Sequence, residues 1–329
     1  MLAIVFGGGN ALGAYCAGAA DTLAAEAVEP GWVAGSSIGA ITAALWAGNP
    51  PEKRMPAMRE FWRRAAQQEF VPSWLPDALR RPLHFTAALQ ARIAGRPHLF
   101  HLRLAELLAG SGSPGLYERA PMRRTLDELI DFDLLNRGTP RLSLMTVDVA
   151  TGEEVPFDTA RDRIGIDHLM ASSAFIPDFP AVEVDGRLLA DGGLAANVPA
   201  DLVLSEPPAE PLACITVDLF PLVAPRPRRL ADALERQTDL SFACQTVRTL
   251  ASMRRLWEAR GPGPGGSVYR INYRHREAEV AAKSYDFAQS SLDTRWAEGQ
   301  RDMQAALRLW RESPPSGPGL QLHAAGEAT

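Results

Sequence analysis

Short apolar runs alternate with helical periodicities over the first fifty residues. The run from Leu2 to Phe6 predicts a strand, the segment from Gly7 to Asn10 a loop, and Ala11 to Ala25 carries apolar residues at helical spacing. A second short strand is predicted from Gly31 to Ala34, and a helix of small residues from Gly39 to Ala47. Because strands and helices alternate in this way, the pattern predicts an α/β fold with a mostly parallel sheet.

The same pattern continues downstream. We expect a strand from Arg141 to Val149, and a near-continuous apolar strand from Leu212 to Leu219 of the kind that is buried on both faces. Between them, Asp185-Gly186 predicts a hairpin turn, and Asp191-Gly192-Gly193 follows the second strand of that hairpin at once.

The stretch of about residues 70–117 has a different character. Prolines interrupt it, and aromatic side chains such as Phe70, Phe85 and Phe100 keep it apolar. We expect short helices and loops that form a lid or an acyl-chain pocket. The alternative is that these aromatic side chains only anchor the insertion to the core.

Beyond Pro221 the chain becomes rich in arginine and helical. The apolar residues of the long helix are expected on one face: Leu230, Leu234, Leu240, Ala243, Val247, Leu250, Met253 and Trp257. A strand from Ser267 to Tyr273 and a helix from about Leu292 to Arg311 follow. We therefore expect an α/β domain at 1–220, a mainly helical extension packed on it at 221–312, and a disordered tail at 313–329.

Composition excludes some classes of protein. With 329 residues, 46% of them hydrophobic, and a net charge of -5, the chain is globular and does not suit nucleic acid, which favours a basic surface. The three cysteines are widely spaced and suggest neither a disulfide framework nor a metal site. The first apolar run is too short for a signal peptide, and no stretch reaches the roughly 18 apolar residues of a membrane span. We expect a cytoplasmic protein that touches membranes peripherally at most.

One pentapeptide points to chemistry. In Gly35-Ser36-Ser37-Ile38-Gly39 a serine lies between glycines where a strand is expected to meet a helix. Several unrelated hydrolases present a nucleophile in this way, with the next N–H group, here that of Ile38, as a donor to the oxyanion. The motif is also compatible with a simple tight turn.

The loop from Gly7 to Gly13 opens a helix, where backbone N–H groups and the helix dipole stabilise an anion. The loop does not fit the dinucleotide fingerprint, because Asn10 occupies a glycine position and Gly13 comes one place late. An oxyanion therefore suits it better than a pyrophosphate.

Two kinds of base are available. Asp191 ends a predicted strand, and a carboxylate can act as a base if its surroundings are dry. The glycines that follow it, Gly192 and Gly193, allow close approach of another loop, although a plain turn would look the same. Among the histidines, only His275 would preserve the order serine, acid, histidine of α/β-hydrolases.

Three sequence blocks together carry a family resemblance. They are Gly8-Gly9-Asn10-Ala11-Leu12-Gly13, Gly35-Ser36-Ser37-Ile38-Gly39-Ala40, and Ala171-Ser172-Ser173-Ala174 through Phe179-Pro180 to Asp191-Gly192-Gly193-Leu194-Ala195-Ala196-Asn197-Val198-Pro199. In order and spacing they resemble the patatin-like phospholipases over residues 1–220. The C-terminal part is similar to the extension of a bacterial subgroup of that family.

The resemblance implies a three-layer α/β/α patatin-like fold and a serine-aspartate dyad. It assigns Ser37 as the nucleophile and Asp191 as the base. It also implies an oxyanion hole formed by the N–H groups of Gly8, Gly9 and Asn10, and a mechanism without a metal or an organic cofactor. Asn10 and Leu12 depart from the family pattern, which has a third glycine and often a basic residue at these positions.

We therefore expect a carboxylic ester hydrolase that acts on a lipid or fatty-acyl ester through an acyl-enzyme. One alternative is an esterase or acyltransferase that uses His275. The other is a catalytically silent protein of the same fold that binds lipid or a partner through the arginines of the extension, which are Arg226, Arg228, Arg229, Arg254 and Arg255.

Overall fold

The computed structural model describes residues 1–67, 77–104, 114–206, 210–261, 263–274 and 282–325, with the backbone alone at 77–82. His275 lies outside the described residues, as do two parts of the insertion, 68–76 and 105–113.

The described strands and helices alternate along most of the chain. The strands are β1 (Leu2–Phe6), β2 (Trp32–Gly35), β3 (His101–Leu102), β4 (Tyr117–Glu118), β5 (Arg141–Asp148), β6 (Glu154–Asp158), β7 (Val182–Val184), β8 (Arg187–Asp191), β9 (Leu212–Asp218), β10 (Gly266–Asn272) and β11 (Leu320–Ala324). The helices are α1 (Ala14–Ala25), α2 (Ile38–Ala47), α3 (Pro51–Ala65), α4 (Asp77–Ala94), α5 (Ala120–Leu129), α6 (Phe132–Leu135), α7 (Ile166–Ser172), α8 (Asp201–Leu204), α9 (Leu230–Ala259) and α10 (Gln289–Glu312).

One large sheet organises the described part of the chain. Its strand order is β11-β10-β9-β1-β2-β5-β8-β7, with β6 paired to β5. The strands from β11 to β5 in this order are all parallel, whereas β6, β7 and β8 are antiparallel to their neighbours. The mostly parallel sheet predicted from the sequence is therefore confirmed.

Helices cover both faces of this sheet. Ile4 and Phe6 of β1 share a hydrophobic cluster with residues of α1, α2, α3 and α10. The alternate residues Ala3 and Val5 share a second cluster with residues of α8 and α9. Because successive side chains of a strand point to opposite faces, the two clusters are the two helical layers of a three-layer α/β/α fold.

Helices α1 and α10 cross at two glycines. A Cβ atom on Gly18 would lie 2.0 Å from the carbonyl oxygen of Trp296, and one on Gly299 would lie 2.0 Å from that of Tyr15. Only hydrogen at these positions permits such close helix packing. The crossing joins the extension to the first helix of the α/β domain.

The extension also continues the sheet. Strand β10 pairs with β9, and β11 pairs with β10, which places Leu320 opposite Gly266. The ring of His323 stacks on that of Tyr269 with centroids 5.0 Å apart. The prediction of disorder from residue 313 is therefore wrong for residues 320–324, because they satisfy the hydrogen-bonding groups of β10.

The apolar face predicted for the long helix is only half right. Ala243, Leu250 and Trp257 are buried, whereas Leu230 is 78% exposed and Leu234 is 57% exposed. Helix α9 has 30 residues, about 45 Å at 1.5 Å per residue, while β10 has 7 residues, about 23 Å. The sheet is too short to cover the whole helix, and the apolar side chains of Leu230 and Leu234 in its first turns remain exposed.

The insertion contains one long helix instead of only short ones. Helix α4 has 18 residues, and Phe100 behind it is fully buried, with its ring 5.4 Å from Phe179 and 5.0 Å from Tyr117. For Phe100, the interpretation as an anchor to the core holds. No helix in the described ranges is both long enough and apolar enough to cross a bilayer.

Candidate active site

Ser37 lies in the sharp turn between β2 and α2. Its backbone has φ 57° and ψ -128°, a conformation that residues other than glycine rarely adopt. A Cβ atom on Gly35 would lie 2.4 Å from the carbonyl carbon of Gly39, and one on Gly39 would lie 2.1 Å from the carbonyl oxygen of Phe6. Both glycines of the pentapeptide are thus required by close backbone packing.

The glycine loop lies beside this turn because β1 and β2 are parallel neighbours. Phe6 pairs with Gly35, so the residues after each strand emerge at the same edge of the sheet. A Cβ atom on Gly8 would lie 2.9 Å from that of Ser37, and one on Gly13 would lie 2.3 Å from Cγ1 of Ile38. The loop therefore packs directly against the sharp turn at Ser37, hereafter the elbow.

Three backbone N–H groups remain available for an oxyanion. Those of Gly9, Asn10 and Ile38 make no hydrogen bond to any residue in the described part of the chain. Asn10 has φ 52°, the positive φ that asparagine tolerates better than most residues. Ile38 is the first residue of α2, so the positive end of the helix dipole reinforces its N–H group.

Gly8 does not fit the role predicted for it. Its N–H group donates to the backbone carbonyl of Asn197 at 3.1 Å. Since this bond uses the donor, the prediction of Gly8 as an oxyanion donor is wrong in this structure. Gly8 instead provides the space in which Ser37 and Asn197 approach the loop.

Strand register brings Asp191 to Ser37. Gly35 of β2 pairs with Leu144 of β5, and Thr146, two residues further along β5, pairs with Asp191 of β8. Ser37 lies two residues beyond Gly35, so the serine and the aspartate flank β5 at the same level. They are 154 positions apart in the sequence, and only this pairing juxtaposes them.

The carboxylate of Asp191 is buried, with 1% of the residue exposed. Its Oδ1 accepts a hydrogen bond from the N–H group of Gly193 at 2.7 Å, while Oδ2 has no hydrogen-bond partner among the described residues. A Cβ atom on Gly192 would lie 2.4 Å from the carbonyl oxygen of Met145. The double glycine thus lets the turn lie against β5 and donate to the carboxylate.

Burial raises the pKa of Asp191 from 3.8 to about 6. The Ser37 side chain, the N–H group of Gly193, the charge of Arg119 and the Ser36 side chain all oppose this rise. At neutral pH the carboxylate is therefore ionised, yet more basic than an ordinary aspartate. Such a pKa suits a general base.

Arg119 is a buried residue of this site that sequence reasoning missed. Its guanidinium donates to the carbonyls of Met170 at 2.8 Å and Ser173 at 2.9 Å. Burial lowers the pKa of Arg119 to about 10, so the group stays cationic at neutral pH and lowers the pKa of Asp191 by its charge. One arginine outside any motif gives no signal in the sequence alone.

Asn197 is a second residue without a predicted role, although it belongs to the third sequence block. Its Nδ2 donates to the carbonyl of Gly8 at 3.2 Å, while its own carbonyl accepts the N–H of Gly8. A Cβ atom on Gly193 would lie 3.1 Å from Oδ1 of Asn197. Asn197 thus lies between the glycine loop and the Asp191 turn.

Ser37 and Asp191 both line a cavity of about 500 Å³. One part of its wall is apolar and comes mainly from the α/β domain: Ile38, Ile41, Met122, Phe175 and Phe179. Another part is polar and comes from the extension: Glu235, Gln237, Thr238, Ser241, Gln245 and Lys283. The insertion contributes Arg92.

The polar wall is held by buried charges. Lys283 Nζ lies 2.7 Å from Asp239 Oδ1 and 3.3 Å from Glu235 Oε1, and all three side chains are less than a tenth exposed. These contacts join α9 to the short helical turn Lys283–Tyr285. These buried ion pairs therefore hold the part of the cavity wall that the extension contributes.

None of the histidines that the structure describes lines this cavity. His84 contacts Ser291, and His168 accepts a hydrogen bond from the N–H of Gly165. Within the described ranges, no three His, Cys, Asp or Glu side chains are grouped as ligands of a metal ion.

Comparison with known proteins gives two family matches. The model of the patatin-like phospholipases matches residues 4–204, and a model described as patatin phospholipase matches residues 236–316. A search of curated proteins found no match.

Two solved structures are similar at low identity. VipD from Legionella pneumophila is 13% identical with a TM-score of 0.39, over 89% of this chain and 67% of that one. The ExoU-SpcU complex from the type III secretion system of Pseudomonas aeruginosa is 16% identical with a TM-score of 0.41, over 94% of this chain and 51% of that one. The chain thus spans about half of the latter protein. Because the first family match covers more than half of the residues of this chain, the chain belongs to the patatin-like phospholipase family.

Proposed function

We propose that the chain is a lipid acyl hydrolase in which Ser37 is the nucleophile and Asp191 is the base. One observation carries the proposal. A serine in a strained elbow and a buried carboxylate with one unpartnered oxygen line the same cavity, next to three unpartnered N–H groups. These are the parts that acyl transfer needs.

In the first half of the reaction, Ser37 Oγ attacks the ester carbonyl carbon and Asp191 Oδ2 accepts the hydroxyl proton. The N–H groups of Gly9, Asn10 and Ile38 bind the oxyanion of the tetrahedral intermediate. Loss of one such donor costs about 3 kcal/mol of transition-state stabilisation. The intermediate then expels the alcohol, which takes the proton from Asp191, and the acyl group stays on Ser37.

In the second half, the oxygen of a water molecule attacks the acyl carbonyl carbon, and Asp191 accepts a proton from this water. The second tetrahedral intermediate expels Ser37, which recovers the proton. The products are a fatty acid and an unchanged enzyme. No step requires a metal ion or an organic cofactor.

The apolar part of the cavity wall supports a fatty-acyl ester as substrate. Near the same cavity, the segment before α9 and the first turn of that helix expose apolar side chains, with Val223 83% exposed and Leu230 78% exposed. Arg226, Arg228 and Arg229 lie between them in the sequence. Exposed apolar residues next to cations favour contact with an anionic lipid surface.

The test of the reaction compares Ser37→Ala with the wild type on medium-chain nitrophenyl esters and phospholipid vesicles. Ser252→Ala is the control, because Ser252 is exposed on α9 and does not line the cavity. We expect turnover to fall at least about 1000-fold in Ser37→Ala but not in the control Ser252→Ala. Turnover that Ser37→Ala leaves intact would exclude the proposal.

Two further measurements address the alternatives. A fluorophosphonate probe should label Ser37, as located by peptide mass spectrometry, whereas a catalytically silent protein would stay unlabelled. His275→Ala should keep full activity. If it lost activity as completely as Ser37→Ala, a histidine-dependent mechanism would replace the dyad.

The lipid contact has a separate test. A Leu230→Ser, Leu234→Ser double variant should bind anionic vesicles less tightly and lose activity on them, while its activity on a short soluble ester is unchanged. Equal vesicle binding by variant and wild type would contradict a role for this surface.

A further inference from the structure

The side chain of Gln245 on α9 joins the C-terminal extension to the third sequence block, at Asn197. Its Oε1 accepts a hydrogen bond from the backbone N–H of Asn197 at 2.9 Å. Gln245 is also part of the cavity wall that Ser37 and Asp191 line. A residue of the extension is therefore in contact with the third sequence block at the centre of the site.

Asn197 in turn holds both backbone polar groups of Gly8. The N–H of Gly8 donates to the Asn197 carbonyl at 3.1 Å, and the Asn197 amide donates to the Gly8 carbonyl at 3.2 Å. This reciprocal pair fixes the peptide planes on either side of Gly8. One of those planes ends in the N–H of Gly9, which is one of the unpartnered donors proposed to bind the oxyanion.

We propose that Gln245 is a positioning residue, through which the extension orients the oxyanion loop by way of Asn197 and Gly8. The inference rests on the proposed function, because it assigns the extension a part in the same site. Oxyanion donors are effective only when they are held in place before the reaction. A small displacement of the Gly9 N–H therefore destabilises the transition state more than the bound substrate.

The test compares kinetic constants on a soluble nitrophenyl ester. Gln245→Met keeps the length of the side chain but removes the acceptor oxygen, and we expect kcat to fall about tenfold while KM stays within about twofold. Gln245→Glu restores an acceptor oxygen at the same place and should recover most of kcat. Gln245→Asn, which withdraws the oxygen by one methylene, should behave like Gln245→Met and serves if the latter does not fold.

A matched control separates positioning from general support of the fold. Gln300 on α10 donates to Asp21 Oδ2, also at 2.9 Å, and does not line the cavity. Gln300→Met should lower the thermal midpoint without changing kcat. The acid limb of kcat/KM should be the same in Gln245→Met and the wild type, because Gln245 is not among the groups that shift the pKa of Asp191.

Three outcomes would overturn the inference: wild-type kcat in Gln245→Met, no recovery in Gln245→Glu, or the same loss of kcat in Gln300→Met. Each is distinct from failure of the proposed function. If the proposed function were wrong, Ser37→Ala would keep its activity, whatever the result at Gln245.

Discussion

The carboxylate of Asp191 receives the N–H of Gly193 on Oδ1 at 2.7 Å and leaves Oδ2 without a partner in the described structure. One oxygen is therefore fixed by the turn, and the other is free to take a proton. Burial disfavours the charged form of this carboxylate, which raises its pKa and makes the ionised group a cost to the stability of the protein.

The first prediction concerns the pH dependence of activity. Asp191 must be ionised to accept the proton of Ser37, and burial raises its pKa to about 6. We expect kcat/KM on a soluble ester to rise with pH, to reach half of its plateau near pH 6 and to level off above about pH 7. A profile that is already flat at pH 4.5 would contradict the assignment of Asp191 as the base.

The second prediction concerns stability. The pKa of Asp191 is higher in the folded state, so the native protein binds this proton more tightly than the unfolded chain between the two pKa values, 3.8 and about 6. Stability is lost as the pH rises through this range, and the full penalty, about 3 kcal/mol at 1.36 kcal/mol per pKa unit, is present above pH 6.

Asp191→Asn removes that penalty, because asparagine cannot ionise and keeps an acceptor for Gly193. We expect the variant to be inactive but more stable than the wild type in urea unfolding at pH 7.5, with the difference shrinking towards pH 4. Equal stability at both pH values would show that the buried charge carries no penalty.

A third prediction concerns Arg119, whose charge lowers the pKa of Asp191. Arg119→Gln should move the acid limb of kcat/KM to higher pH. It should also destabilise the fold by roughly 1–3 kcal/mol, since carbonyls of Met170 and Ser173 lose a donor. Arg124→Gln, at an exposed position on α5, the helix that Arg119 immediately precedes, is the control and should leave the limb in place. An unmoved limb in Arg119→Gln would exclude the electrostatic role.

The fourth prediction separates strain from chemistry at Ser37. With φ 57° and ψ -128°, the position suits glycine, whereas alanine keeps the steric conflict of a Cβ atom. Both Ser37→Gly and Ser37→Ala should be inactive, but Ser37→Gly should be more stable by about 1–2 kcal/mol. Thermal unfolding measures the difference, and a less stable Ser37→Gly would show that the elbow is not strained.

The last prediction tests the helix crossing. In Gly299→Ala the new methyl group would lie 2.0 Å from the carbonyl oxygen of Tyr15, so α1 and α10 must separate. We expect a loss of at least about 3 kcal/mol, the upper end of the cost of overpacking. Gly263→Ala, with no atom of the described residues within 4 Å of the added Cβ, should change stability by less than about 0.5 kcal/mol. Similar losses in both variants would contradict the close crossing.

Much of the fold followed from local patterns. The strand at Leu2–Phe6 and the helix that ends at Ala47 have apolar spacings and glycine signals that act within a few residues, and the structure has both. The exposed start of α9 could not be foreseen, because its burial depends on how far the sheet reaches. The formation of strand β11 also depends on a distant element, the edge of β10 with which it pairs. The composition of β11 and its flanks resembles that of a disordered tail.

The sequence by itself determined the candidates for chemistry: a serine between glycines, a glycine loop before a helix, and an aspartate before two glycines. Each of these signals is local, because it reflects what a short stretch of backbone permits. Only the tertiary structure decided that Ser37 and Asp191 flank one strand at the same level, that Asn197 occupies the donor of Gly8, and that Arg119 and Gln245 belong to the site. Those relationships depend on strand register and on burial, which no short stretch of sequence contains.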